Sequence, residues 1–224
     1  MICLPRQRFL NPSDVVLAYC NGYFPMADHR RGASYWYSPD PRCIMPLGAF
    51  HTPRRLRRTI AQGRFEVRID TAFKEVIRAC AARPETWISE EIEQVFGKLS
   101  EAGLAHSFEV WRNGQLAGGV YGLSLGGSFF AESMFSRVRD ASKVALVLLL
   151  EHLRSRDFSL FDVQYPNDHL RQFGPILIPR EEYLERLAAA ITQPASGWAG
   201  ELTTVFSSRD PFDRLRAGSS LRSG

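Results

Sequence analysis

The chain has little of what would tie it to a metal, a membrane or a secretory route. It holds four cysteines, Cys3, Cys20, Cys43 and Cys80, with no CxxC pair and no Cys/His spacing that could cage an ion. Structural zinc is therefore not expected, and free thiols are. The longest strongly apolar run covers residues 144–150, far short of the ~20 residues of a membrane span. The opening MICLPRQRFLNPSD has no apolar stretch of the signal-peptide kind, so the expectation is a cytoplasmic monomer with no membrane partner. Charge of one sign is also scarce. The formal net charge is +4, and half of it comes from Arg209, Arg214, Arg216 and Arg222 against Asp210 and Asp213. Any affinity for nucleic acid must then come from a local patch. Glycine is missing where a coenzyme would need it: the loop SRVRD, residues 136–140, has none and ends in an acid. Without a glycine-rich turn to cradle pyrophosphate on backbone N–H groups, coenzyme-A chemistry is disfavoured.

What is present is ordinary for a globular protein: 45% hydrophobic and 23% charged residues, with core enough for one large domain or a small one beside a medium one. The first fifty residues are aromatic and turn-rich. Asn11-Pro12-Ser13-Asp14 caps a short helix over residues 15–20, which Asn21-Gly22 ends. Prolines at 39, 41 and 46 exclude long regular elements there. Helices are predicted over 53–61, 73–81 and 90–101, with a strand over 65–69. Three strands, 106–111, 116–123 and 128–135, follow as a meander whose turns are Asn113-Gly114 and Gly126-Gly127. Asp140 then caps a helix over 141–154 that is spaced for burial on one side. A strand over 159–164, a helical turn over 167–172, a strand over 176–178 and a helix over 180–191 complete the reading. The expected fold class is α+β: a small N-terminal domain, 1–45, leaning on a mixed sheet-and-helix domain, 46–206, of acetyltransferase-like (GNAT-like) element order. Residues 207–224 are polar and aperiodic, and a disordered tail is expected.

Several residues ask for chemistry. Glu132 sits in the apolar strand FFAESMF, where a buried charge is costly unless paired. Either it reaches water or a cation meets it. Strand alternation puts Phe130, Glu132 and Met134 on one face and Phe129, Ala131, Ser133 and Phe135 on the other. In LFDVQ the same rule places Asp162 and Gln164 side by side, about 6–7 Å apart. They could serve as an acid/base and orienting pair, or Asp162 could cap the turn at Asn167. Arg54, Arg55, Arg57 and Arg58 crowd one helix, as a solvated basic face or a site for an anion such as phosphate. His106 has no second histidine at ligand spacing and reads as a core or hydrogen-bonding residue. Trp87 is core or a platform for a base.

AYCNGYFPM, WYSPDPR, TWI, HSFEVW…ESMFS, ASKVAL, FDVQ and NDHL with its following glycine resemble, in that order, the leucyl/phenylalanyl-tRNA–protein transferases. The resemblance runs from about residue 17 to residue 180. It implies transfer of Leu or Phe, with Met a poorer donor, from aminoacyl-tRNA to the N-terminal Arg or Lys of proteins, tagging them for N-end-rule degradation. An aminoacyl ester is already activated, so no cofactor is expected. Asp162 and Gln164 match the family's D-x-Q pair, for which the resemblance implies that Asp162 polarises Gln164 as acceptor of the amine's proton. Because an amide is a very weak base, the expectation here is that Gln164 orients the amine, Asp162 supplies negative charge, and a ribose hydroxyl or water carries the proton. Glu132 would hold the cationic acceptor N-terminus. Trp87 and Tyr19 would lie near the terminal adenosine. Val120, Phe129, Leu146, Leu153 and Phe161 would line the side-chain pocket, and Arg54 and Arg58 would hold the acceptor stem. Ala131 stands where the family usually has Gly, and Met26 where some relatives have Trp. The rival readings are a coenzyme-A-dependent N-acetyltransferase, which lacks its glycine loop here, and a non-catalytic RNA-binding module, which leaves Asp162, Gln164 and Glu132 unexplained.

Overall fold

The computed structural model describes residues 2–4, 10–193 and 198; the expected tail lies outside them. Along the chain come β1 (Ile2–Leu4), α1 (Pro12–Cys20), β2 (Phe24–Ala27), β3 (Ser34–Ser38), β4 (Arg42–Ile44), α2 (Arg54–Ala61), β5 (Glu66–Ile69), α3 (Phe73–Ala81) and α4 (Glu90–Glu101). They continue as β6 (Ala105–Arg112), β7 (Gln115–Leu125), β8 (Ser128–Ser136), α5 (Ala141–Ser155), β9 (Leu160–Gln164), α6 (Asp168–Arg171), β10 (Ile176–Ile178) and α7 (Arg180–Thr192).

A three-stranded sheet, β1-β3-β2, belongs to the N-terminal part, and a seven-stranded sheet runs β10-β4-β9-β8-β7-β6-β5. β4 therefore joins the large sheet although its residues precede position 45. The sequence predicts no strand at β2, β3 or β4: Pro25 lies within β2, β4 is three residues long between Pro41 and Pro46, and the alternating SYWYS of β3 is only five residues long beside Pro39. The meander expected from Asn113-Gly114 and Gly126-Gly127 is β6-β7-β8. Every pairing is antiparallel except β8 with β9, which α5 connects as a crossover.

Two apolar clusters flank the large sheet. One gathers Val76, Ile92, Phe96 and Leu99 with Tyr121 and Phe130, and the other packs α5 against Phe129 and Phe161. One-sided burial of α5 does not hold: residues 144–153 are all buried. The sheet takes one face, and Leu56 and Ile60 of α2 share the same apolar cluster. Asp140 does not cap α5 with its side chain. Its backbone is left-handed, with φ +66°, and its carboxylate lies 3.7 Å from Arg55, 3.8 Å from Arg139 and 3.7 Å from Lys143. By contrast Asn11, Ser89 and Asn167 accept the N-cap bonds of α1, α4 and α6.

Two irregularities make the site. β8 pairs with β9 only at Ser128–Leu160, Phe129–Phe161 and Phe130–Asp162, and beyond these the parallel strands part. The β7–β8 ladder also slips, with Tyr121 opposite Ser133 but Gly122 opposite Ala131, so Glu132 is the extra residue of a bulge. The bulge overturns strict alternation. Phe135 joins the cluster of Phe130, and Met134 packs with that of Phe129. Gly122 is the residue that permits this: a Cβ there would lie 2.2 Å from the Phe130 carbonyl oxygen and 2.6 Å from the Phe129 ring. A backbone oxygen cannot step aside, so Gly122→Ala should destabilise the fold by on the order of 1–3 kcal/mol or more and disturb the bulge. Urea unfolding measures the loss, which the same substitution at Gly97, where a Cβ meets nothing, should not reproduce.

Candidate active site

Where β8 and β9 part, a cavity of about 690 Å³ opens, lined by Ala131, Glu132, Met134, Val163 and Gln164 from the two strands. Val120, Leu146 and Leu170 add an apolar wall, Trp87 and Arg83 a rim, and Ser133, Ser136 and Ser142 a polar side. Of the residues singled out from sequence, Trp87, Val120, Glu132, Leu146 and Gln164 meet here. Phe129, Leu153 and Phe161 do not line the cavity. They are 1%, 0% and 1% exposed and form its backing, where Phe129 stacks on Phe161 at 5.8 Å and on Trp198 at 5.0 Å. Tyr19 is wholly buried, edge-on to Phe130 at 4.9 Å, so it is set behind Glu132 and not on the open surface.

Asp162 is the residue whose surroundings depart most from expectation. It is fully buried, and all its bonds are internal. Arg42 Nε donates to Oδ1 at 3.0 Å and Oδ2 at 3.2 Å, and Arg42 Nη2 donates to Oδ2 at 2.6 Å. The Tyr183 hydroxyl donates to Oδ2 at 2.8 Å and the Gln164 backbone N–H to Oδ1 at 2.9 Å. Its charge is balanced by a buried guanidinium and does not cap the turn at Asn167. What it does locally is hold the backbone of Gln164, whose φ of +57° is left-handed, a conformation a non-glycine residue keeps only when its surroundings fix it. Arg42 also donates to the Gly22 carbonyl at 3.0 Å and lies over the rings of Phe24 and Tyr183. Sequence reasoning missed Arg42. The usable signal was Asp162 itself, since a strand aspartate between apolar neighbours demands a cation.

Glu132 has no such partner. Burial pushes its carboxyl up to about 8; the neighbouring Tyr19 hydroxyl is the largest opposing influence, the negative charge of Asp162 adds to the rise, and Arg42 opposes it least. The Tyr19 hydroxyl adjoins it, but no partner meets full hydrogen-bond geometry with that hydroxyl. The Gln164 amide can be set two ways. In one, Nε2 reaches Glu132 Oε1 at 3.5 Å. In the other, Nε2 donates to the carbonyls of Ala131 at 3.0 Å and Val163 at 3.1 Å, and Oε1 turns toward Glu132. A protonated Glu132 can donate to that oxygen, so the second setting satisfies both groups in the empty site.

Arg54 and Arg58 lie apart from the cavity, on the exposed face of α2 whose Leu56 and Ile60 are buried. Arg55 is 3.7 Å from Asp140. Among the described residues Arg54, Arg57 and Arg58 meet no carboxylate. His106 hydrogen-bonds Asp70 at 2.7 Å and stacks on Trp198, a structural role. Cys20, Cys43 and Cys80 are free thiols. No helix among the described residues is long and apolar enough to cross a membrane.

A cleft at a strand divergence, with an apolar wall, an aromatic rim and a carboxyl–amide pair, has the room and the mixed polarity to hold an organic substrate beside a cationic group. The class it serves is a transferase, as the relatives of the chain show. Comparison with known proteins supplies the rest. The family described as leucyl/phenylalanyl-tRNA protein transferase matches residues 44–188, and its N-terminal domain matches residues 10–40. Proteins named leucyl/phenylalanyl-tRNA–protein transferase are similar throughout. The one from Gloeobacter violaceus is 52% identical over 83% of this chain and 96% of its own length. That from Chlorobaculum parvum is 53% identical over 80% and 95%, and that from Paramagnetospirillum magneticum 52% over 86% and 94%. This chain belongs to the leucyl/phenylalanyl-tRNA–protein transferase family. Among solved structures, a ribosomal-protein-alanine N-acetyltransferase from Brucella melitensis overlaps 62% of this chain and 96% of its own at 12% identity, with a TM-score of 0.36, too low to carry an argument.

The raised carboxyl has a consequence for stability. An unfolded glutamate titrates at about 4.3, and Glu132 in the folded chain at about 8. The native state thus holds the proton more tightly between these values. The stabilisation is full below pH ~4.3 and is lost as pH rises toward 8. Glu132→Gln should remove that slope, so denaturant midpoints of the variant and the parent should converge at low pH and separate, the variant becoming the more stable, as pH rises.

Proposed function

We propose that this chain moves Leu or Phe, and Met less well, from aminoacyl-tRNA to the N-terminal Arg or Lys of proteins and so marks them for N-end-rule degradation. The observation that carries the reading is the convergence of Glu132 and Gln164 with Val120, Leu146 and Trp87 on one cavity. The ester-linked side chain enters the apolar wall, and the terminal adenosine lies against Trp87. The acceptor cation comes to Glu132. Its arrival favours the carboxylate, so cation binding expels the proton that Glu132 holds when the site is empty.

The chemistry is exchange of an ester for an amide. The α-ammonium loses a proton, the free amine attacks the ester carbonyl, the C–O bond breaks, and the ribose oxygen takes a proton as it leaves. Gln164 orients the amine, and its amide is too weak a base to do more. Asp162 is a positioning residue, because Arg42, Tyr183 and the Gln164 N–H use its oxygens. The proton acceptor is a ribose hydroxyl or water. Orientation of two reactants in a desolvated cleft supplies most of the rate. Ala131 presents a methyl group to the cavity, which narrows it where relatives carry glycine.

Labelled Leu on tRNA, incubated with a peptide beginning in Arg, should yield leucyl-peptide; no transfer by folded protein would refute the reading. Gln164→Ala should lower kcat by roughly 10- to 100-fold with little change in tRNA binding, whereas Glu132→Gln should chiefly raise KM for the peptide. On α2, Arg54→Ala with Arg58→Ala should weaken tRNA binding and flatten its log–log salt dependence by about 0.9 for each phosphate no longer neutralised, measured by titration at several ionic strengths.

A further inference from the structure

Arg83 is the link between the active-site cavity and a second hollow. It lines both the cavity of about 690 Å³ and a neighbouring one of about 470 Å³, whose other walls include His29, Arg30, Arg31 and Thr86. Arg30 is paired with Glu93, and Arg31 lies 3.5 Å from Glu90. Arg83 donates to the Met134 carbonyl of β8, and among the described residues it meets no carboxylate. An exposed guanidinium with no carboxylate partner among the described residues thus stands at the gateway, bonded to the same strand that carries Glu132.

The gateway is built and not merely adjacent. Arg83 and Trp87 come from one short connection between α3 and α4. The opposite wall is the turn between β2 and β3, closed by a Gly32 N–H to His29 carbonyl bond of 2.8 Å. Three bonds tie the turn and its strand to that connection: Ala27 N–H to the Trp87 carbonyl at 3.0 Å, Glu90 N–H to the Arg30 carbonyl at 2.9 Å, and Arg30 Nη1 to the Ile88 carbonyl at 3.2 Å. The aromatic platform and the cations are therefore held in one frame.

We propose that Arg83 binds the phosphodiester 5′ to the terminal nucleotide of the donor, and that the single strand leaves through the hollow beside His29, Arg30 and Arg31. This rests on the reading of the cavity as an aminoacyl-nucleotide site. With its base on Trp87 and its ester in the apolar wall, a nucleotide has its 5′ phosphate one sugar away, at the rim. A planar guanidinium suits phosphate and reads no base. An aromatic surface followed by a cationic groove is how single strands are held without sequence preference. The N-terminal part thereby becomes a wall of the strand's path, separate from the basic face of α2.

The experiment compares two donors, phenylalanyl-adenosine, which lacks the 5′ phosphate, and the same ester on a CCA trinucleotide. The parent protein should use the trinucleotide at the lower KM. Arg83→Ala should shrink that advantage about tenfold with kcat little changed, and reduce the salt slope for the trinucleotide by about 0.7 for the one phosphate it no longer neutralises. Arg83→Lys should restore most of it. An equal rise in KM for both donors, or no rise for either, overturns the proposal. So does a rise confined to peptide acceptors carrying an acid after the N-terminal Arg, which would turn Arg83 toward the polypeptide. Absence of transfer from both donors by the parent protein would instead refute the transfer reading. Calorimetric binding of the unacylated CCA trinucleotide, weakened by Arg83→Ala or not, still decides the role of Arg83.

Discussion

The buried pair of Arg42 and Asp162 is the joint on which the rest of the structure turns. Both side chains are inaccessible to solvent, where removal of one partner would leave a charge costing about 3–5 kcal/mol. Four parts of the chain meet there: β4 through Arg42, β9 through Asp162, the end of α1 through the Gly22 carbonyl, and α7 through Tyr183. The N-terminal part has little core of its own, and this pair is how it becomes part of the same fold as the large sheet. Because Asp162 also accepts the Gln164 N–H, a structural ion pair fixes the angle at which an active-site amide enters the cleft.

The second constraint is the parting of β8 and β9. Parallel strands that kept pairing would close the space that the cavity occupies. Three residue pairs are made, and then the bulge at Glu132 bends β8 away. The same bulge aims a carboxyl into a poorly solvated site with no fixed cation, and this is why its proton is held to about pH 8. Two acids a few residues from the same strand junction thus differ in kind. Asp162 has its guanidinium built in, and Glu132 has no ion-pair partner among the described residues.

Much of this was readable in the residues. Asn113-Gly114 and Gly126-Gly127 announce the meander, because such pairs readily accept the left-handed backbone of tight hairpins, which Asn113, Gly114 and Gly126 adopt. Asn11 and Ser89 announce the starts of α1 and α4 by chemistry that is local. The motif blocks from HSFEVW to FDVQ carry the family. The misses share a cause. Asp140 has the right residue type for a cap, but a backbone turn and three basic neighbours took its carboxylate elsewhere. The faces of β8 were misread past Glu132 because one inserted residue reverses every later side chain. Phe129, Leu153 and Phe161 are buried and do not line the cavity, since apolar character marks burial without saying on which side of a wall a residue stands.

The sequence by itself determined the element order from α2 onward, the hairpins, the family and the residue types the chemistry uses, because propensity, turn geometry and motif are written within a few positions of one another. Only the tertiary structure decided which charges meet. Arg42 and Asp162 are 120 residues apart along the chain, and no local rule couples them. Their pairing turned Asp162 from a supposed source of charge into a support for Gln164. It left Glu132 as the acid in this site without a cation of its own.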